Sequence, residues 1–249
     1  MTTVKDIYNY IDNAAPFSTQ EEWDNAGLLV GCADDCVTKA VMALDVAKDV
    51  VSLAAEAGAQ LIISHHPIIF NPVKRLMKGT ALYKCVQYGI SVISAHTNFD
   101  RAPLGINTNL CKRLSLKNVK PIDGTFIVTG ELDKEMQASD FARFAAETLQ
   151  VSGLRYTDSE KPIRTVAVGG GACEEYLPQA MQLADCFLTG DMKYHVMLEA
   201  AEEGFCVISA GHYETESESF LMLRDQISKA FPDVEFIRGN QKNPVMAVL

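Results

Sequence analysis

Two adjacent histidines follow the apolar run of "LIISHHPIIF", residues 61–70, and they are the first residues whose type suggests chemistry. The whole chain of 249 residues contains only five histidines. Neighbouring side chains on an extended segment point in opposite directions, so His65 and His66 could each give one imidazole to a different metal ion. The alternative is a pair of hydrogen-bonded histidines in a loop.

The segment "SAHTNFD", residues 94–100, follows a second strand-like run and contains another histidine. In an extended conformation His96, Asn98 and Asp100 would lie on one face. Asp100 is then a candidate oxygen ligand for a metal ion. Taken alone, an aspartate before an arginine is more often part of a turn or an ion pair.

The segment "GHYETE", residues 211–216, places His212 and Glu216 four positions apart at the start of a helical pattern. Side chains at this spacing lie on one helix face, about one turn apart. Glu214 points elsewhere on the helix and is expected to be a first-turn acid that the helix dipole favours. His212 and Glu216 are therefore candidate ligands of one metal cluster.

The five candidate ligands suit zinc, manganese, iron, cobalt or nickel better than calcium, because three are imidazoles and two are carboxylates. Five ligands exceed the four of an ordinary zinc site. They fit two divalent metal ions about 3.5 to 4 Å apart that share a carboxylate and hold a water or hydroxide as nucleophile. The predicted metal ligands are His65, His66, Asp100, His212 and Glu216.

Two further segments could contribute to the same chemistry. His195 in "TGDMKYH" is a candidate catalytic proton donor, whereas Asp191 could simply cap the following helix. His96 is the second candidate catalytic residue. The only tryptophan, Trp23, lies in "EEWDNAGLLVG". It either anchors a turn from a buried position or contacts the substrate.

A basic cluster follows the double histidine, formed by Lys74, Arg75 and Lys78. A solvated loop or a subunit contact would explain such a cluster. If the substrate is a nucleotide, the same side chains could bind its phosphates.

Strand-like and helical runs alternate along the chain, which predicts an α/β fold. The second half repeats the order of the first, and "VISAH" at 92–96 is matched by "VISAGH" at 207–212. We therefore predict two related lobes from a partial internal duplication, at residues 1–124 and 125–249, with a C-terminal segment that could pack back on the first. Shared periodicity without duplication is the alternative.

The composition of the chain indicates its cellular compartment and excludes some classes of binding partner. The net charge of −10 argues against nonspecific nucleic-acid binding. No apolar run approaches the roughly 18 to 20 residues of a membrane helix, and the N-terminus has no signal-peptide pattern. Seven cysteines without a CxxC pair favour thiols in a reducing compartment. We expect a cytoplasmic protein that binds neither nucleic acid nor membrane.

Five motifs in this order, "EEWDNAGLLVG", "ISHHPIIF", "SAHTNFD", "LTGDMKYH" and "AGHYETE", resemble the Nif-three-like family across almost the whole chain. Its bacterial members are named GTP cyclohydrolase 1 type 2 homologues. The resemblance implies two related α/β lobes with a dinuclear metal site in the cleft between them, and assembly into a ring-shaped homohexamer. It also implies that His66, Asp100 and Glu216 bind one metal, while His65, His212 and Glu216 bind the other.

The activity that the family name implies is opening of the imidazole ring of GTP, or of a related nucleotide, by metal-bound hydroxide. The expected partners are accordingly a small-molecule substrate, such as a nucleotide, and further copies of the chain. Two alternative functions remain besides this activity. The chain could be a metal-binding regulatory or scaffold protein without turnover, or a two-metal phosphoesterase. The absence of a P-loop motif from the sequence counts against GTP in particular.

Overall fold

The strands and helices follow the alternation that the sequence predicts, in a computed structural model that describes residues 1–245. The helices are α1 (Val4–Ala14), α2 (Lys48–Ala57), α3 (Ala81–Tyr88), α4 (Thr97–Arg101), α5 (Ile106–Arg113), α6 (Ala138–Leu149), α7 (Leu177–Leu183), α8 (Tyr194–Glu202) and α9 (His212–Ala230). The strands are β1 (Gly27–Val30), β2 (Lys39–Ala43), β3 (Leu61–Ser64), β4 (Ser91–Ser94), β5 (Lys117–Pro121), β6 (Val128–Met136), β7 (Arg155–Tyr156), β8 (Ile163–Ala172), β9 (Cys186–Asp191), β10 (Cys206–Ser209) and β11 (Glu235–Arg238).

The chain divides into two units, each with its own sheet. The first unit contains Met1–Leu104 and Phe220–Lys242, and the second contains Gly105–Ser219 with residues 243–245. The division therefore comes earlier in the chain than the 124/125 boundary expected from the sequence. The physical reason is that β5 pairs with β6, so this strand belongs to the second sheet.

The first unit has a five-stranded sheet in the order β1-β4-β3-β2-β11. Strand β1 is antiparallel to β4, and the other neighbours are parallel. Ala43, Ser64 and Ser94 lie side by side in the register of β2, β3 and β4. Because these strands end level, the residues that follow them emerge at one edge of the sheet.

Helix α2 illustrates how the sequence produces the layer that covers this sheet. Its apolar side chains at helical spacing, Val50, Val51 and Ala54, are fully buried. The helix ends at Gly58, which adopts the left-handed conformation with φ of 68° and donates its N–H to carbonyls of the last turn. The "KDVVSLAAEAG" helix and its glycine end are thus confirmed.

The second unit has a six-stranded sheet in the order β5-β6-β8-β9-β10-β7. Strands β8, β9 and β10 are parallel to one another, while β5, β6 and β7 pair with their neighbours antiparallel. Gly169, Thr189 and Ser209 lie side by side where these parallel strands approach their carboxyl ends.

The first unit therefore contains four neighbouring parallel strands and the second contains three, and the antiparallel strands that flank them differ in number. The α/β class is confirmed, and the internal duplication stays a prediction. Among residues 1–245, no helix has the length and apolar character needed to cross a membrane.

Candidate metal-binding clusters

Three imidazoles gather at the carboxyl ends of β3 and β4 in the first unit. His65 is fully buried, whereas His66 and His96 are partly buried. Their ring centroids lie 5.0 to 5.6 Å apart. One ring nitrogen from each lies within 4.8 Å of the others. Nitrogen donors at this separation could hold a metal ion.

The hydrogen bonds of the double histidine fix which nitrogen of each ring bears the proton. His65 Nδ1 lies 2.8 Å from the carbonyl oxygen of Ala95, and His66 Nδ1 lies 2.7 Å from Asp45 Oδ1. Carbonyl and carboxylate oxygens only accept, so each Nδ1 must donate. In the neutral rings the lone pair is then on Nε2, where a metal would bind.

His96 is oriented in the same way by a carboxylate from the tryptophan motif. Its Nδ1 donates to Asp24 Oδ1 over 2.8 Å. Burial alone would raise the pKa of Asp24, but hydrogen bonds and charge from His96, together with hydrogen bonds from Thr97 and Asn25, lower it to about 2. Asp24 is therefore ionised at neutral pH and holds His96 in one orientation.

Asp100 reaches the cluster from a helix, so the extended conformation predicted for "SAHTNFD" is wrong. Residues Thr97–Arg101 form α4, because the Asp100 N–H donates to the carbonyl of His96 over 3.0 Å and the Asn98 side chain accepts the His96 N–H. The buried Asp100 carboxylate places Oδ1 3.5 Å from His65 Nε2. A lone pair and a carboxylate oxygen this close suit a shared cation.

The carboxylate behind His66 has its own support from near the end of the chain. Asp45 donates its N–H to Gln241 Oε1 over 2.9 Å, and the Gln241 amide nitrogen donates to Asp45 Oδ2. This contact joins residues far apart in the sequence. It holds Asp45 in place while the other carboxylate oxygen accepts from His66.

The second unit contains an imidazole and a carboxylate of its own in the first turns of α9. His212 Nδ1 donates to Asp191 Oδ2 over 2.8 Å, and His212 Nε2 lies 3.1 Å from Glu216 Oε2. Asp191 thus contacts His212, and the residue that precedes α8 is Lys193. The spacing argument correctly placed His212 and Glu216 on one face.

Two carboxylates determine the protonation of His212 in the metal-free protein. Burial lowers the pKa of His212, but hydrogen bonds with Asp191 and Glu216 and their negative charges outweigh it and raise the pKa to about 11. The pair therefore binds a proton at neutral pH when no metal is present. A metal ion that binds His212 must displace this proton, which makes metal binding weaker at low pH.

A glycine lets the backbone of β8 approach the Glu216 carboxylate closely. Gly171 has φ of +68°, and a Cβ added there would overlap Glu216 Oε1 and come within 3.2 Å of His212 Nε2. The carboxylate is buried against this backbone. The "GGGA" segment is thus part of the candidate site, although its residue types gave no sign of it.

Two sequence candidates lie elsewhere. His195 is exposed in the first turn of α8, and within the described residues it belongs to no group of three potential metal ligands. Trp23 is also exposed, so the prediction that it anchors a turn from a buried position is wrong. Its ring instead lies near those of Phe70 and His96.

The chain is similar to proteins of one family, both in sequence and in fold. The family model described as Duf34/NIF3 (NGG1p interacting factor 3) matches residues 2–244. A Clostridium perfringens protein named GTP cyclohydrolase 1 type 2 homolog is 31% identical, over 97% of this chain and 98% of its own. The crystal structure of Staphylococcus aureus protein SA1388 matches with a TM-score of 0.92 at 25% identity, covering 99% of both chains. A Bacillus cereus protein related to NIF3 has the same fold, with a TM-score of 0.90 at 22% identity over the whole of both chains.

The contact between Gly171 and Glu216 predicts an asymmetry between two glycine substitutions. Gly171 and Gly204 have almost the same φ, +68° and +66°, but only Gly171 has atoms near the position of an added Cβ. Both alanine variants bear the same backbone strain, so the difference reports the overlap with Glu216. We expect Gly171→Ala to lower the free energy of unfolding by about 1–3 kcal/mol more than Gly204→Ala. Urea denaturation of both variants measures it, and equal losses would contradict the contact.

Proposed function

Because the chain belongs to the Duf34/NIF3 family, we propose that it is a hydrolase dependent on two divalent metal ions. Zinc, manganese, iron, cobalt and nickel suit the donor set. In this proposal His66, Asp100 and Glu216 would hold one metal ion, and His65, His212 and Glu216 would hold the other, so that Glu216 would serve both.

One observation carries the proposal: each candidate imidazole donates from Nδ1 to an oxygen acceptor. The acceptors are the Ala95 carbonyl and the carboxylates of Asp45, Asp24 and Asp191, for His65, His66, His96 and His212 respectively. Histidines that bind metals almost always have such a partner, which fixes the tautomer and raises the basicity of the other nitrogen. All three proposed histidine ligands, His65, His66 and His212, meet this requirement.

Helix α9 continues past Glu216 into the segment that belongs to the first unit. Phe220 follows Glu216 by one helical turn, so the two side chains are neighbours on the helix surface. In the first unit the Phe220 ring lies 5.6 Å from the ring of His65.

The metal ions and the protein side chains would have different roles in the reaction. Metal ions held by this donor set would supply Lewis acidity that activates water and the substrate. The chain's own proton carrier is His96, which could accept or donate a proton at Nε2 while ionised Asp24 holds Nδ1. His195 stays a prediction from the sequence, and its exposed position in α8 adds no support for a catalytic role.

The proposed substrate is a purine nucleotide such as GTP, and the proposed reaction opens its five-membered ring. Addition of water at C8 and cleavage of one C8–N bond would give a formamide. A second water would then hydrolyse the formamide to formate and an amine, with no net oxidation. The name of the Clostridium perfringens relative, GTP cyclohydrolase 1 type 2 homolog, supports this substrate class.

Assembly and location are also proposals. We propose a homohexamer, which sedimentation velocity on the purified chain would test. A cytoplasmic location is supported by the cysteines, since none of those in residues 1–245 forms a disulfide.

Turnover by the metal-loaded protein tests the function. We expect formate release from GTP, and we expect Glu216→Gln to abolish it and to lower the metal content. The matched control is Glu214→Gln, two residues earlier in α9, whose carboxylate instead accepts a hydrogen bond from Asn243. This control should keep both the activity and the metal.

The same assay separates the alternatives. Release of inorganic phosphate without formate would indicate phosphoester hydrolysis in place of ring opening. If a panel of nucleotides and phosphoesters yields neither formate nor phosphate, the hydrolase proposal is overturned. A metal-binding regulatory protein is then the remaining alternative. Equal metal content in the two glutamate variants would contradict the bridging role of Glu216.

The hydrogen bond from His66 to Asp45 predicts a measurable effect on metal affinity. Asp45→Ala should weaken metal binding roughly 10- to 100-fold, because His66 loses the partner that orients it. Asp49→Ala, at an exposed position in the first turn of α2, is the control and should leave the affinity unchanged. Competition with a chelator of known affinity measures both. Equal affinities in the two variants would show that Asp45 does not support a ligand.

A further inference from the structure

We propose that the rings of Trp23 and Phe70 form a stacking platform for the base of a purine nucleotide, beside the cluster of His65, His66 and His96. This inference rests on the proposed function and deepens it, because it assigns the subsite that recognises the planar ring of the substrate.

The two rings are exposed, which is unusual for side chains of this size. Trp23 is 55% exposed and Phe70 is 47% exposed. Large aromatic side chains stabilise a fold mainly through the area that they bury. Here about half of each residue's surface remains in contact with solvent, so these residues contribute less to the fold than a buried pair would.

The rings are arranged around the imidazole cluster. Their centroids lie 5.9 Å apart with 50° between their planes. Both meet His96 nearly edge to face, Trp23 at 6.1 Å and 74° and Phe70 at 6.4 Å and 80°. A planar ligand in contact with either aromatic face would therefore lie next to His96, whose ring neighbours those of His65 and His66.

Polar anchors hold both rings in place from their neighbouring residues. Asp24, next to Trp23, accepts hydrogen bonds from His96 and from Thr97. Asn25 donates its side-chain amide to the carbonyl of Ile69, the residue before Phe70, over 2.6 Å. The two segments are thus tied to each other and to His96. Such preorganisation lowers the entropic cost of binding a ligand.

The charge near the platform suits a nucleotide rather than an uncharged aromatic compound. Lys74, Arg75 and Lys78 lie in the loop that follows Phe70 and are exposed. Within residues 1–245, no ion pair involves any of the three. In a chain with a net charge of −10 they are a local concentration of positive charge, complementary to phosphate groups.

The chain offers its own reporter of this subsite, because Trp23 is the only tryptophan. The zinc-loaded protein is titrated with guanosine 5′-monophosphate, and tryptophan emission is excited where guanine does not absorb. Ribose 5-phosphate, which has the phosphate but no base, is the control. We expect saturable quenching by the nucleotide only. Equal quenching by both compounds, or by neither, would overturn the platform.

Substitutions test the two rings separately. Phe70→Ala, followed by Trp23 emission, and Trp23→Ala, followed by calorimetry, should each weaken nucleotide binding roughly 5- to 100-fold with unchanged metal content. Trp23→Phe keeps a ring and should retain most of the affinity. Tyr88→Ala removes another exposed ring of the same unit, in α3, and should change nothing. Unchanged affinity in Trp23→Ala and Phe70→Ala would refute the proposal.

Failure of the platform and failure of the hydrolase give different results. Quenching by the nucleotide without turnover would support the subsite and reject the hydrolase. Turnover of GTP with the same KM in the parent and in Trp23→Ala would support the hydrolase and reject the subsite. Binding of a protein at this surface without any nucleotide effect would also reject the subsite.

Discussion

The hydrogen bond from histidine Nδ1 to an oxygen acceptor is the interaction on which the candidate metal chemistry depends. An imidazole that could rotate or change tautomer would present its Nε2 lone pair only part of the time. A carboxylate or carbonyl at Nδ1 removes this freedom before a metal arrives. The fold therefore has to bring an acceptor to each ring.

The parallel strands of the first unit achieve this through their register. Because Ala43, Ser64 and Ser94 are level, the residues after β2, β3 and β4 are neighbours across the sheet. Asp45 follows β2 and accepts from His66 after β3, while the carbonyl that follows β4 accepts from His65. In the second unit Asp191 at the end of β9 accepts from His212, which follows β10. Hydrogen-bond partners at neighbouring strand ends thus occur within each unit.

The ligand candidates could be chosen from the sequence because histidine is rare in this chain and its positions follow strand-like runs. The spacing of His212 and Glu216 also predicted a contact, since helix geometry relates residues four apart without tertiary information. The carboxylates that accept hydrogen bonds from these histidines could not be chosen from the sequence. Asp24 and Asp45 are two of many acidic residues, and their contacts cross between distant segments.

Local structure was harder to predict where side chains compete with the backbone. The "TNFD" part of "SAHTNFD" is helical, and Asn98 accepts the His96 N–H at the start of this helix, a contact that alternation of side chains does not reveal. The role of Gly171 depends on the approach of β8 to α9, which no local pattern contains. The exposure of Trp23 likewise contradicts the general tendency of this residue type. These three departures lie at or beside the candidate site, where function often outweighs local preference.

Anomalous X-ray diffraction from crystals of the metal-loaded protein tests the central claim most directly. Two anomalous peaks per chain are expected, about 3.5 to 4 Å apart. His65, His66 and His212 should bind them through Nε2 at about 2.0 to 2.2 Å, and the Glu216 carboxylate should contact both. A single peak, coordination through Nδ1, or peaks remote from these residues would contradict it.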